Sequence, residues 1–175
     1  MKILVILKIT GGSMEDFFIK KFNDTLSTSY VLLNRFEQNM FNSSKRFNLS
    51  VSELSMLEVI NKSPVTGKMV GDIATELMIT PSSVTIAVNR LEKKGYVERH
   101  KSETDGRQVY VNLTERGRHA DRIHKRFRKN MAKDILSDMK ENEKCTLIKC
   151  MERMNSFLKS KININTQKEA LKKSA

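Results

Sequence analysis

A chain of 175 residues with 39% hydrophobic content has material for one domain with a real core, built without tryptophan and with only 6% aromatics. Thirty-two Lys and Arg against 20 Asp and Glu give a formal charge of +12, which suits nucleic acid, an anionic membrane surface or a plain solvated basic surface. The apolar run Ile3–Leu7 is short and closes at Lys8, which excludes a signal-peptide core and a membrane span there. Cys145 and Cys150 lie five apart, about 140° around a helix. An intrahelical disulfide is therefore excluded, and the pair reads as core-filling thiols of a reducing, cytoplasmic setting.

Residues 1–13 read as an extension, with Met14 a candidate functional beginning, and no function is placed on them. From Glu15 to about Phe41, Phe18, Phe22, Leu26, Tyr30, Leu33, Phe36 and Met40 recur three or four apart. That spacing predicts one long amphipathic helix whose stripe is too extensive for a small monomer to cover. Ser50 and Glu53 have capping-box spacing and open a helix to about Asn61 carrying Leu54, Leu57 and Ile60. After the turn Ser63–Gly67, a helix is expected from about Lys68 to Met78, with Val70, Ile73, Ala74 and Leu77 inward.

Thr80-Pro81 reads as N-cap and first helical residue of the next helix, which runs to about Lys94. Val84, Val88 and Leu91 form its buried stripe. At about 100° per residue, Ser82, Ile86, Asn89 and Lys93 centre on the opposite face, with Ser83, Thr85 and Arg90 on the flanks. Gly95 ends the helix in a left-handed conformation. Tyr96–Lys101 and Gln108–Leu113 are strands around the charged turn SETDGR, the second alternating Val109, Val111 and Leu113. Thr114 caps a strongly basic helix from Arg116 to Lys133. A final helix spans about Glu141 to Lys159, with Leu147, Met151, Met154, Phe157 and Leu158 on one side. Residues 161–175 form a basic tail expected to fray. Met40, Met56, Met69, Met78, Met131, Met151 and Met154 are expected largely at core positions.

A helix pair followed by a basic hairpin is the form in which one helix enters the major groove of duplex DNA and the hairpin lies along the backbone. The fold expected is mainly α with a small β wing, a winged helix-turn-helix. Its DNA-reading lobe spans about residues 50–113. Helices at about 15–46 and 115–160 interlock with a second copy in an intertwined homodimer, and the whole domain covers 14–160. Short polar side chains at Ser82, Ser83, Thr85 and Asn89 reach phosphates or base edges, Asn bonding adenine bidentately, and Ile86 meets a thymine methyl. Arg90 shares that surface, and Arg99 and Lys101 are candidate backbone contacts.

In order and spacing, Leu91-Glu92-Lys93-Lys94-Gly95-Tyr96-Val97, the turn Asp105-Gly106-Arg107 and Val111-Asn112-Leu113-Thr114-Glu115-Arg116-Gly117 resemble the MarR family of transcriptional regulators. The likeness covers about residues 15–159. Within the family, ELMITPSSVTIAVNRLEKKGYVER and LTERGRHADRIHKRFRKNM are most similar to the Gram-positive regulators of fatty-acid synthesis. The resemblance implies a homodimeric repressor on a pseudo-palindromic double-stranded operator. It makes Arg107 the wing residue that enters the minor groove and Asp105 the partner that holds it. It also implies a long-chain acyl group on acyl carrier protein as corepressor. A pocket lined by residues such as Phe22, Leu26 and Phe127 would hold the chain, and Arg122, Arg126 and Lys129 would dock the acidic carrier.

The alternatives are a MarR-type repressor released by a phenolic or drug-like ligand, and a non-specific DNA-coating protein. No catalytic motif, membrane role or cofactor is expected. His119 and His124, five apart, lack the spacing to share a metal from one helix face.

Overall fold

The computed structural model describes residues 13–43, 47–101 and 108–173, with side chains at 13–41, 47–101 and 108–162. Two compact units divide the chain, Met1–His124 and Lys125–Ala175. The expected extension lies outside the described residues, apart from Ser13.

The first unit begins with α1 (Met14–Ser43). Ser13 caps it reciprocally with Asp16: the Asp16 amide donates to the Ser13 hydroxyl at 3.0 Å, and the Ser13 amide donates back to the carboxylate at 3.1 Å. Helix α2 (Val51–Ile60) starts on the full Ser50–Glu53 capping box and ends at Asn61. Strand β1 (Lys68–Met69) leads into α3 (Val70–Leu77), and α4 (Pro81–Lys93) follows. Strands β2 (Val97–Lys101) and β3 (Val109–Leu113) complete an antiparallel sheet in the order β1-β3-β2. In it Lys68 faces Val111 and Arg99 faces Val111 from the other side.

The helix expected from Lys68 is therefore shorter. Lys68 and Met69 pair with β3 instead, because two extended residues can satisfy their backbone on an open sheet edge before the helix begins. The turn between α3 and α4 holds Met78 at a φ of 55°, a left-handed position more usually filled by glycine.

The core of this unit is aliphatic, with Leu57, Ile73, Val84, Val88, Leu91 and Val111 all fully shielded. Tyr96 is shielded as well, under the Arg116 guanidinium, which lies 4.5 Å from the ring centre. Helix α5 (Glu115–Leu136) brings Ala120, Asp121 and His124 into burial. Asp121 accepts from the Asn61 side chain at 2.5 Å, tying α5 to the end of α2. His124 lies edge-on to Phe41 and 3.7 Å from the Glu37 carboxylate.

Gly117 is required by close approach: a Cβ there would stand 2.1 Å from the carbonyl oxygen of Tyr96. That oxygen already accepts from the Thr114 amide at 3.0 Å, so the backbone has no freedom to withdraw.

Helix α6 (Glu141–Lys173) dominates the second unit. It continues through the segment expected to fray, because QKEALKK is composed of strong helix formers. Both cysteines are exposed, and so are Met78 and Met151, while Met56 is buried. The periodicity that suggested core positions thus marks faces left uncovered in the single chain. The α1 stripe behaves likewise: Phe18, Phe22, Phe36 and Tyr30 are 54–71% exposed. Among the described residues no helix is long and apolar enough to cross a membrane.

Replacing Gly117 by Ala should lower the melting temperature. Alanine's helix preference favours the change by about 1 kcal/mol, but a backbone clash that short costs more, about 1–3 kcal/mol. A melting temperature equal to or above wild type in calorimetry would contradict the assigned packing.

Candidate nucleic-acid interface

Helix α4 buries Val84, Val88 and Leu91 in the core, with Ala87 packed partly buried beside them. Pro81, Ser82, Ser83, Thr85, Ile86, Asn89, Arg90 and Lys93 are exposed, and Ile86 leaves 54% of its surface in water among polar neighbours. A bare helix face of small polar residues with one apolar member is what a DNA major groove accepts. Thr80 caps the helix by accepting from the Ser83 amide at 3.2 Å, and Pro81 fills the first helical position. The remaining amides of the first turn give this end a partial positive charge suited to phosphate.

The other end is anchored by Lys94. Its ammonium donates to both Glu53 oxygens, at 2.8 and 2.9 Å, and to the carbonyl of Asn48 at 2.7 Å. Glu53 thus caps α2 and pins α4 with one carboxylate. Gly95 takes a φ of +74°, and Thr114 and Arg116 donate to the carbonyls of Gly95 and Lys94 at 2.7 and 2.9 Å. Burial works to raise the Glu53 carboxyl, but the hydrogen bonds from Lys94 and the Ser50 amide outweigh it and hold the group below 4.5. Glu76, bridged by Lys62 and Lys68, and Glu115, bridged by Arg118 and Arg122, are also depressed by their hydrogen bonds. Those carboxylates are solvated, so they contribute little to stability.

Of the residues expected to meet DNA, Ser82, Ser83, Thr85, Ile86, Asn89 and Arg90 are brought together on the open side of α4. Two of them also serve the helix: Ser83 shares the cap with Thr80, and the Thr85 hydroxyl donates to the Pro81 carbonyl at 3.0 Å. Lys101 is exposed at the end of β2. Asp105 and Arg107 lie outside the described residues.

Arg99 departs from its expected backbone role. It turns to α4, donating to Glu92 at 2.6 Å and to the Asn89 side-chain oxygen at 2.6 Å. Strand parity carries the signal: residues two apart share a face, and Val97 beside it is buried.

Arg122, Arg126 and Lys129 are exposed on α5. Phe22 and Leu26 are exposed in the first unit, and Phe127 is half-buried in the second. A cleft of about 760 Å³ lies elsewhere in the first unit, lined by Gln38, Leu49, Glu53, Ser83, Ala87 and Arg90 among others. Among the described residues no group of three His, Cys, Asp or Glu is placed to hold a metal ion.

A helix-turn-helix with a three-stranded sheet at its edge is a winged helix. Residues 47–108 match the MarR family. The chain resembles Streptococcus pneumoniae FabT, solved in complex with DNA, at 33% identity and a TM-score of 0.77, covering 81% of this chain and 98% of that one. It is 30% identical over 83 residues to YwhA of Bacillus subtilis, an HTH-type transcriptional regulator, and 32% identical over 73 residues to the regulator MgrA of Staphylococcus aureus. These stretches span 47% and 41% of this chain, and 60% and 48% of the two relatives. The chain belongs to the MarR family.

Because the Glu53 carboxyl is depressed in the folded state, its stabilisation is present above pH 4.5 and is lost as pH falls below it. Glu53→Gln should cost about 1–2 kcal/mol near neutral pH and flatten the acid limb of a stability–pH curve. An acid limb as steep as wild type would remove Glu53 from that role.

Proposed function

We propose that this chain is a sequence-specific transcriptional regulator that binds double-stranded DNA as a homodimer, with α4 in the major groove. The single observation that carries this is the open polar face of α4, held at both ends by Thr80 and Lys94 while Ile86 stays in water. The net charge of +12 supports it. So does the likeness, over 81% of its length, to a FabT chain solved in complex with DNA.

The same likeness supports a finer reading. The chain represses fatty-acid synthesis genes, and long-chain acyl-acyl carrier protein is its corepressor. Phe22 and Leu26 take the acyl chain in this reading, and Arg122, Arg126 and Lys129 meet the acidic carrier. Asp105 and Arg107 belong to the wing, Arg107 in the minor groove. A second reading, release from DNA by a small phenolic or drug-like ligand, is favoured by the cleft beside α4, where Arg90 and Ser83 supply polar contacts.

The second copy is expected on the α1 stripe, since large apolar side chains in that number gain most by leaving water. The protein acts in the cytoplasm, where duplex DNA is at hand.

Retention of a preferred duplex over random competitor should reach about a thousandfold. Log affinity should fall against log salt with a slope near −7 if each protomer neutralises about four phosphates. Equal binding to all duplexes would make the chain a non-specific DNA-coating protein. Adding palmitoyl-acyl carrier protein should tighten operator binding. Weaker binding with a small aromatic acid and no response to the carrier would favour the second reading. Phe18→Glu, counted twice across a twofold interface, should weaken the dimer by about 3–6 kcal/mol in sedimentation equilibrium. An unchanged dimer would place the interface elsewhere.

A further inference from the structure

Asn89 sits in the middle of the open face of α4, and the oxygen end of its amide is engaged within the protein. Arg99 reaches across from β2 and donates through one terminal nitrogen to Asn89 Oδ1 at 2.6 Å, and through the other to Glu92 Oε2 at 2.6 Å. A guanidinium carries donors only, so the atom it meets must be the amide oxygen, whichever way round the side chain is drawn. The Asn89 nitrogen is thereby turned away from the guanidinium. Swinging Arg99 aside would break two short charge-assisted contacts at once.

The usual pairing of asparagine with adenine needs both ends of the amide: the oxygen accepts from N6 and the nitrogen donates to N7. Here Arg99 occupies one of the two lone pairs of the oxygen, so the N6 amino group would have to take the other with its donor hydrogen set against the cation. The nitrogen keeps its two hydrogens.

We propose that Arg99 is a positioning residue that fixes Asn89 as a hydrogen-bond donor, so that Asn89 reads acceptor edges in the major groove and rejects cytosine. Thymine O4, guanine O6 and N7, and adenine N7 all satisfy it. Cytosine presents its N4 amino donor at the same place and does not. The inference rests on the reading of α4 as a DNA-binding helix and adds which base chemistry one of its residues selects.

The test uses the full chain and a duplex recovered from a randomised pool, together with every single base-pair substitution of it. For wild type, one symmetry-related position per half-site should disfavour cytosine by on the order of tenfold to a hundredfold. Asn89→Asp keeps a partner for Arg99 but replaces the donor by an acceptor, so the preference at that position should turn towards cytosine whatever happens to overall affinity. Arg99→Ala frees the amide, and the preference should move to adenine alone.

A merely structural role for Arg99 would lower affinity or melting temperature and leave the base profile as it was; that result overturns the proposal. So does an Asn89→Asp profile with equal losses at every position, because Asn89 would then be a backbone contact. Should Arg99→Ala fail to fold, the Asn89→Asp profile decides the matter alone. Wild type that retains no duplex over random competitor would overturn the DNA-binding reading itself, whereas specific retention with an unmoved profile overturns only this inference.

Discussion

Helix α4 must be rigid without being covered. A helix that touches its core along one narrow stripe would ordinarily be free to roll or slide, and burying more of it would remove the face it offers. The fold resolves this by holding the helix at its ends. Glu53 is the central device, since the carboxylate that closes the capping box of α2 also receives the ammonium at the end of α4. One partly buried anion, with donors from two elements, fixes the angle between the two helices. A buried carboxylate with only one of those partners would be costly, and with both its charge is satisfied.

The joint behind α4 is built on the same principle. Gly95 turns the chain with a positive φ, and Thr114 and Arg116 then close onto the carbonyls of Gly95 and Lys94. Tyr96 fills the space beneath the Arg116 guanidinium, and Gly117 lets α5 start against the Tyr96 backbone. Arg99 supplies the lateral brace from the sheet. The end of α4, the wing strands and the start of α5 therefore move as one piece, so a displacement of α5 within this unit would be felt at the face of α4.

Local signals were legible in the sequence wherever the chemistry is short-range. The Ser50–Glu53 box, the Thr80-Pro81 start, the Gly95 stop and the alternation of Val111 with Leu113 each depend on residues within a few positions, and the structure contains all of them, whereas Val109, expected in the same stripe, is exposed. What escaped is long-range or too short to have a period. Two residues of β1 show no alternation, and their pairing is set by Val111 and Tyr110, far along the chain. The Lys94–Glu53 pair joins positions 41 apart, and nothing in spacing announces it. Arg99 was readable from strand parity but was overshadowed by the expectation that a wing cation meets phosphate. Met151 and the two cysteines were read as core because an exposed apolar stripe has the same period as a buried one. Of the candidate site, the α4 half could be read residue by residue, whereas Asp105 and Arg107 lie outside the described residues.

On the dimer reading, charge and apolarity act in opposite directions. Two copies at +12 each repel, so apolar contact along α1 must outweigh that repulsion, and a bound polyanion would relieve it. The most direct measurement is a footprint of the full chain on its preferred duplex. Two protected major-groove patches are expected, symmetric and about 10 base pairs apart centre to centre. A single patch, or uniform protection along the fragment, would contradict that arrangement.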